Sequence, residues 1–381
     1  MLIIILSNMA KKLLITGGHS TPAIAVIEEI KFNNKDWEIY YVGSKYSSLE
    51  GKKLNSYEFQ TLKRLKNIKF IHLISGKLAR NFSPKYILSM LKIPISFLHA
   101  LLINIRYRPN LILSFGGFLS TPLIITGKLL GIPSITHEQT HSAGIANKIN
   151  ARFVKKIAVT FPDSVNQFPS KKTVVTGNPL RKEIENPKPS KRMKEILNDK
   201  KVIYVTGGKT GSENINQVIK HILKELLEKY LIIHQVGPMQ IQEFKNHKAT
   251  LEDDLKKNYY PLEYLSAGEV GTVFKASQLV ISRSGANTVL ELLKNKCKSI
   301  LIPLPFSAGN EQLKNAQFLK KTGLAEIIKD HNLTPKHLSK TIAKMIDNKK
   351  YSLNENCVDL RLLNGRESLF KLVEKEIEDE K

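Results

Sequence analysis

Ile281-Ser-Arg-Ser-Gly-Ala-Asn-Thr-Val-Leu-Glu291 is the stretch on which the reading of this chain turns. The apolar run Gln278-Leu-Val-Ile-Ser282 predicts a buried parallel strand, because a strand covered on both faces loses the alternation of a half-exposed one. A Ser-Gly turn follows, and Asn287 to Leu293 then repeats apolar residues at helical spacing. Such a turn lets a ligand approach the unpaired N–H groups and positive dipole of a helix start, which favours a phosphate. Glu291, one turn further on, is placed to accept two ribose hydroxyls, as the acidic residue of dinucleotide folds does. An ordinary βα turn with a capping serine would use the same residues, so the rest of the chain has to decide.

Three further strand–glycine–helix units lie upstream, one of them Leu111–Phe115 with Gly116-Gly117 and a helix from Thr121. Leu13 to Thr16 predicts a strand, Gly17-Gly18-His19 a turn, and Thr21 to Lys31 a helix with Pro22 near its first turn. Lys201 to Thr206 leads in the same way into Gly207-Gly208-Lys209-Thr210-Gly211 and a helix over 215–230. Neither of these two is G-x-G-x-x-G, so a nicotinamide reading is weak, and Lys209 precedes the second glycine of any P-loop pattern, so an NTPase reading fails. Strands are also expected over 37–42, 70–74, 111–115 (ending in Gly116-Gly117-Phe118), 134–136, 157–159, 173–176, 231–236 and 299–303. Strands alternating with helices predict doubly wound parallel sheets, whose ligands sit at the carboxyl ends. At 381 residues, two domains are expected. Their bounds read as 9–182 and 200–350, with a proline-bearing linker over 183–199 and terminal helices over 351–381.

The net charge of +25 invites a nucleic-acid partner. Of 59 basic residues, however, only 10 are Arg, and base and phosphate forks lean on Arg. Attraction to an anionic membrane surface fits scattered lysines better than nucleic acid does. Cys297 and Cys357 cannot build a disulfide framework or a zinc cluster and suit a reducing compartment. The opening Met1 to Leu6 is too short to span a bilayer, and Met9-Ala-Lys-Lys reads as a cytosolic start, with residues 1–8 either a short extension or the product of a mis-called start codon. Residues 86–106 predict a helix with Pro94 as a kink and little polar surface, ringed by Lys77, Arg80, Lys85, Lys92, Arg106 and Arg108. It reads either as a core helix or as an exposed membrane-facing patch.

His137-Glu138-Gln139-Thr140-His141 is expected on a loop after a short strand. Its spacing lacks a third metal ligand, so no metal is expected and general acid/base work is the better reading. No D-x-D pattern occurs in the chain.

Seven motifs occur in one order: Thr16-Gly-Gly-His-x-x-Pro22, Gly116-Gly117, His137-Glu-Gln139, Gly177-Asn-Pro-x-Arg181, Gly207-Gly-x-x-Gly211, Arg283-Ser-Gly-Ala-x-Thr-x-x-Glu291 and Gln312-x-x-Asn-Ala316. That series resembles the peptidoglycan N-acetylglucosaminyltransferases of glycosyltransferase family 28. The resemblance implies a GT-B fold, two Rossmann-like domains facing across a cleft, with the last helix crossing back to the N-terminal domain. It implies inverting transfer of N-acetylglucosamine from UDP-GlcNAc to the C4 hydroxyl of an undecaprenyl-pyrophosphoryl-MurNAc-pentapeptide acceptor, without a cofactor. The implied place is the cytoplasmic face of the membrane, where other cell-wall synthesis proteins are possible partners.

By position, the resemblance implies uracil contact by the Leu265 backbone, ribose contact by Glu291, and diphosphate contact by Ser284, Gly285 and Ala286 beside Asn287 and Thr288. Gln312 would meet the sugar, and Arg181, Gly208 and Lys209 would complete the donor contacts. Thr16, Gly17, Gly18, Phe118, Gln139 and Thr140 would line the acceptor side, with His19 or Glu138 as the base. Within the resemblance, the 86–106 helix becomes the basic-edged membrane patch. Thr140 stands where the family usually has Asn, Phe118 where Tyr is common, and Lys209 where Ser is usual. Transfer to another lipid such as diacylglycerol is the nearest alternative, and a non-enzymatic basic membrane- or nucleic-acid-binding protein the more distant one.

Overall fold

The computed structural model describes residues 10–33, 35–49, 52–63, 65, 67–74, 92–197 and 201–379. The chain divides into two compact units, one of residues 1–179 with 361–381 and the other of residues 180–360. Arg181, read from sequence as the end of the first domain, therefore belongs to the second.

The first unit contains β1 (Lys12–Thr16), β2 (Glu38–Gly43), a small antiparallel hairpin of β3 (Tyr46–Leu49) and β4 (Lys52–Asn55), β5 (Ile68–His72), β6 (Leu111–Ser114), β7 (Ser134–Glu138), β8 (Lys156–Val159) and β9 (Thr173–Val175). Its seven-stranded parallel sheet has the order β5-β2-β1-β6-β7-β8-β9. Leu13, Leu14, Ile15, Leu111, Ile112 and Leu113 are fully buried, as expected of strands covered on both faces. The order reverses between β1 and β6, so the turns after these two strands meet at a topological switch point.

The helix Gly365–Glu378 packs in this unit against the helix Ser20–Phe32. Leu369, Phe370, Val373 and Ile377 are its buried apolar side chains, on one helical face. Each buried side chain of this size contributes about 1.5–3 kcal/mol. Ion pairs Arg366–Glu29 (2.7 Å) and Lys35–Glu374 (2.5 Å) edge the contact, and Lys155–Glu376 (2.7 Å) ties the same helix to the start of β8.

The helix Lys92–Tyr107 turns its small and polar residues inward: Ser96, Ala100, Ile103 and Asn104 are buried. Asn104 donates to the Leu123 carbonyl (3.0 Å) and to Thr126 Oγ1 (2.9 Å). Ile95, Leu98, Leu102 and Ile105 face outward and are 46–61 % exposed. This face is an exposed apolar stripe, and Lys92, Arg106 and Arg108 beside it are exposed. The first turns of the expected helix, with Lys77, Arg80 and Lys85, lie outside the described residues, and Pro94 falls in the first described turn.

The second unit holds β10 (Val202–Thr206), β11 (Leu231–Gln235), β12 (Tyr259–Leu262), β13 (Ser277–Ser282), β14 (Ser299–Leu301) and β15 (Ala325–Ile327). Its parallel sheet runs β12-β11-β10-β13-β14-β15, with the switch point between β10 and β13. The expected linker is not extended chain. It contains short helices Lys182–Glu185 and Lys191–Ile196, and Ile184 and Met193 are fully buried. Their apolar residues, set between the prolines, find partners in the second unit; Gly271 packs so closely on Glu183 and Ile184 that a Cβ there would lie 2.4 Å from the Glu183 carbonyl.

Candidate active site

Each switch point carries a pair of glycine turns. In the first unit Gly18 N–H donates to the Gly116 carbonyl (3.0 Å), and a Cβ on Gly17 would lie 2.8 Å from Phe115. Gly17 and Gly117 both have positive φ, 145° and 78°. Only glycine allows the β1 and β6 turns to interlock this closely. The same packing buries Thr16 completely at the end of β1. Gly18 and His19 are exposed above it, as is Phe118.

His19 Nδ1 lies 3.2 Å from the Phe115 carbonyl oxygen. A carbonyl only accepts, so the proton of the neutral ring sits on Nδ1 and Nε2 keeps its lone pair. That is the tautomer a general base needs.

His137 and Glu138 do not face one site together. Strand β7 runs through both, so their side chains point to opposite faces. His137 Nε2 meets the Gly177 carbonyl (3.0 Å), its ring packs near Phe115, and burial pulls its pKa down to about 4. Glu138 turns the other way, into the loop that follows it. Its Oε1 accepts from Thr140 N (3.1 Å), and its Oε2 accepts from Gly144 N (2.8 Å) and Asn147 Nδ2 (2.9 Å). The Thr140 hydroxyl sits between Oε1 (2.8 Å) and the Ser142 carbonyl (2.7 Å). Glu138 is thus buried and held by backbone and side-chain donors of the loop it organises. Gln139 and Thr140 are themselves buried at 7 % and 8 % exposure. His141 stacks on Phe161 with ring centroids 3.5 Å apart, away from His137. Among the described residues no cluster of His, Cys, Asp and Glu is placed to hold a metal.

In the second unit the turns after β10 and β13 carry the chemistry. Gly285 precedes the helix Ala286–Lys294 with no side-chain cap, the kind of helix start at which anions bind. Glu291 is buried in this helix, and Arg181 Nη2 lies 3.3 Å from its Oε1. Burial raises the Glu291 pKa, while Arg181 and Lys209 oppose the shift, which places both cations near the carboxylate. Ser284, expected to touch a diphosphate, is fully buried and donates its hydroxyl to the Gln312 carbonyl (2.8 Å). Its role is to hold the turn.

Gln312 Oε1 accepts from Leu304 N (3.0 Å) and Ser284 N (3.3 Å), leaving its amino group as the part that can donate to a sugar. The Leu265 N–H is taken by Gln235 Oε1 (3.1 Å), and Gln235 Nε2 donates to the Gly208 carbonyl (2.9 Å). Gln235 is a linking residue that the sequence reading passed over. Its signal was a polar side chain ending a buried strand. Asn147 and Arg283 were likewise missed as organisers.

Residues 16–159 match the glycosyltransferase family 28 N-terminal domain, and residues 202–361 the family's C-terminal domain. A UDP-N-acetylglucosamine--N-acetylmuramyl-(pentapeptide) pyrophosphoryl-undecaprenol N-acetylglucosamine transferase of Clostridium kluyveri is 33 % identical over 374 residues, covering 96 % of this chain and 99 % of that one. The chain belongs to glycosyltransferase family 28. The enzyme of the same name from Borreliella burgdorferi is also 33 % identical, over 96 % of each chain. The crystal structure of Acinetobacter baumannii MurG shares this fold (TM-score 0.68, 24 % identity, 96 % of this chain and 99 % of that one). UDP-GlcNAc 2-epimerase from Methanocaldococcus jannaschii shares it too (TM-score 0.61, 14 % identity, 96 % and 99 %). The family 28 chain is a GT-B protein with two parallel-sheet α/β units.

Proposed function

We propose that the protein is an inverting N-acetylglucosaminyltransferase that moves the sugar from UDP-GlcNAc to the C4 hydroxyl of undecaprenyl-pyrophosphoryl-MurNAc-pentapeptide. The near full-length identity to transferases of that name carries the reading. The second unit binds the donor: Glu291 takes the ribose hydroxyls, the uncapped helix start at 285–288 takes the diphosphate with Arg181, and the Gln312 amino group takes the sugar. Lys209 adds a cation to the diphosphate, in place of the serine usual in the family. No step requires a metal, because a helix dipole and two cations stabilise the departing UDP.

The first unit binds the acceptor. His19 Nε2 removes the proton of the C4 hydroxyl as that oxygen attacks the anomeric carbon from the face opposite UDP, and one displacement inverts the centre. Glu138 is a positioning residue for the 139–144 loop. The outward Ile95, Leu98, Leu102 and Ile105 stripe with its basic edge seats the protein on an anionic membrane, where a lipid-linked acceptor resides. Among the described residues no helix is long and apolar enough to cross a membrane.

The test is transfer of labelled GlcNAc from UDP-GlcNAc to an undecaprenyl-pyrophosphoryl-MurNAc-pentapeptide analogue, beside a diacylglycerol control. Product on the first acceptor, lost in His19→Ala, is the expected result. Product on diacylglycerol alone would discard the acceptor and keep the donor.

A further inference from the structure

The Arg283 guanidinium, at the end of β13, is committed on both amino nitrogens. Nη1 donates to the Ile302 carbonyl (3.1 Å) and the Asp330 carboxylate (2.5 Å), and Nη2 donates to Ser212 Oγ (2.8 Å). Ser212 stands at the N-cap of the helix Glu213–Lys229, yet its side chain caps nothing there. A serine at that position ordinarily spends its oxygen on the helix N–H groups; this one spends it on Arg283. Asp330 opens a short 3₁₀ turn, and its carbonyl accepts from Asn214 Nδ2 (3.2 Å).

These contacts bound a cavity of about 700 Å³ whose walls include Gly207, Thr210, Gly211, Leu304 and Gln312. The glycine loop is therefore held from two sides. On one side Gly211 and Gly237, both at positive φ, let it press onto the end of β11: a Cβ on Gly211 would lie 2.1 Å from the Val236 carbonyl. Gln235 Nε2 adds a bond to the Gly208 carbonyl (2.9 Å) from the end of β11, and Arg283 reaches the loop from β13 through Ser212. An arginine beside a diphosphate site would ordinarily be drawn to the anion. Here Asp330 neutralises and orients it, making it a strut.

We propose that Asp330 is a positioning residue for the donor site: through Arg283 and Ser212 it fixes the 207–212 loop, and so sets affinity for a nucleoside diphosphate that it does not touch. The proposal rests on the reading of the second unit as the UDP-sugar site.

The test is calorimetric titration of UDP into the full-length protein for the wild type, Asp330→Asn, Ser212→Ala and the double variant, with melting temperatures alongside. Asp330→Asn should weaken UDP binding about tenfold, the scale of one charge-assisted contact. Ser212→Ala should weaken it in the same direction. Because both act through one guanidinium, the double variant should lose much less than the product of the two single effects. In transfer assays the donor KM should rise and the acceptor KM stay unchanged, a split that general destabilisation would not produce. UDP affinity within twofold of wild type in Asp330→Asn overturns the clamp. Should Asp330→Asn melt early, Ser212→Ala decides, and unchanged affinity there overturns it equally. A wild type that binds no UDP overturns the donor-site reading and the clamp together, whereas failure of the variants alone leaves that reading standing.

Discussion

Arg181 Nη2 lies 3.3 Å from Glu291 Oε1, joining side chains 110 residues apart, both mostly buried, beneath the open start of the Ala286–Lys294 helix. One carboxylate oxygen thus orients the cation, and in the proposed donor site the other takes a ribose hydroxyl. Removing either partner leaves the other charge poorly compensated. Glu291→Gln and Arg181→Lys should each weaken UDP affinity by about 1–3 kcal/mol, with the double variant less than additive. Titration of UDP and of uridine separates the two functions. Arg181→Lys should leave uridine affinity nearly unchanged, and a loss there equal to that for UDP would contradict the division of labour.

His19 and Glu138 should part company in kinetics and stability. His19→Ala should lower kcat by about 10²–10⁴-fold, the usual worth of a general base, with an unchanged melting temperature. Glu138→Gln strands the Thr140, Gly144 and Asn147 donors on a weaker acceptor and should cost about 1–3 kcal/mol of stability. Thermal melts beside initial rates check both. A Glu138→Gln protein that is fully stable but inactive would restore Glu138 as the base.

Two buried histidines predict an acid-sensitive fold. Burial lowers the His137 pKa to about 4 and the His234 pKa to about 3. The unfolded chain binds these protons more readily, so the stability held above the unfolded pKa, near 6.5, is lost as pH falls through that value towards the folded pKa. For His137 the full effect is about 3 kcal/mol. Urea midpoints should fall between pH 7 and pH 5, and His137→Gln should fall less steeply than wild type. Parallel pH profiles would refute the assignment.

Lys209→Ala should reduce UDP affinity about three- to tenfold and flatten its salt dependence, as removal of one partly screened cation predicts. Titrations at low and high salt measure this. Unchanged affinity would mean that Lys209 does not reach the diphosphate.

The outward stripe on the Lys92–Tyr107 helix should govern membrane binding and nothing else. Leu98 and Leu102 are 61 % and 57 % exposed, so Leu98→Glu with Leu102→Glu should leave the melting temperature within about 1–2 °C, as surface changes do. The same variant should fail to sediment with anionic vesicles that carry down the wild type. Undiminished sedimentation would locate the membrane contact elsewhere.

The sequence by itself determined the strand–glycine–helix units, because continuous apolar runs and glycines are local signals that need no partner to be read. It placed Glu291 beside an open helix start for the same reason. It could not determine which polar groups are already spent. His137 and Glu138 are adjacent in sequence and point apart because β7 continues through both; Glu138 meets Asn147 and Gly144 only after the chain has turned back on itself. Thr16 and Ser284 sit inside their motifs but are buried, Thr16 beside the close-packed Gly17 turn and Ser284 against Gln312 and Asn315. Arg181 crosses to the second unit because the short helix after it buries Ile184 there. The helix at Lys92–Tyr107 has an apolar composition that suits either core or surface, and only the tertiary fit of Ala100 and Asn104 inward decided which face remains outside. Hydrogen-bond saturation and facing are properties of contacts distant in the chain, and those were settled by the fold.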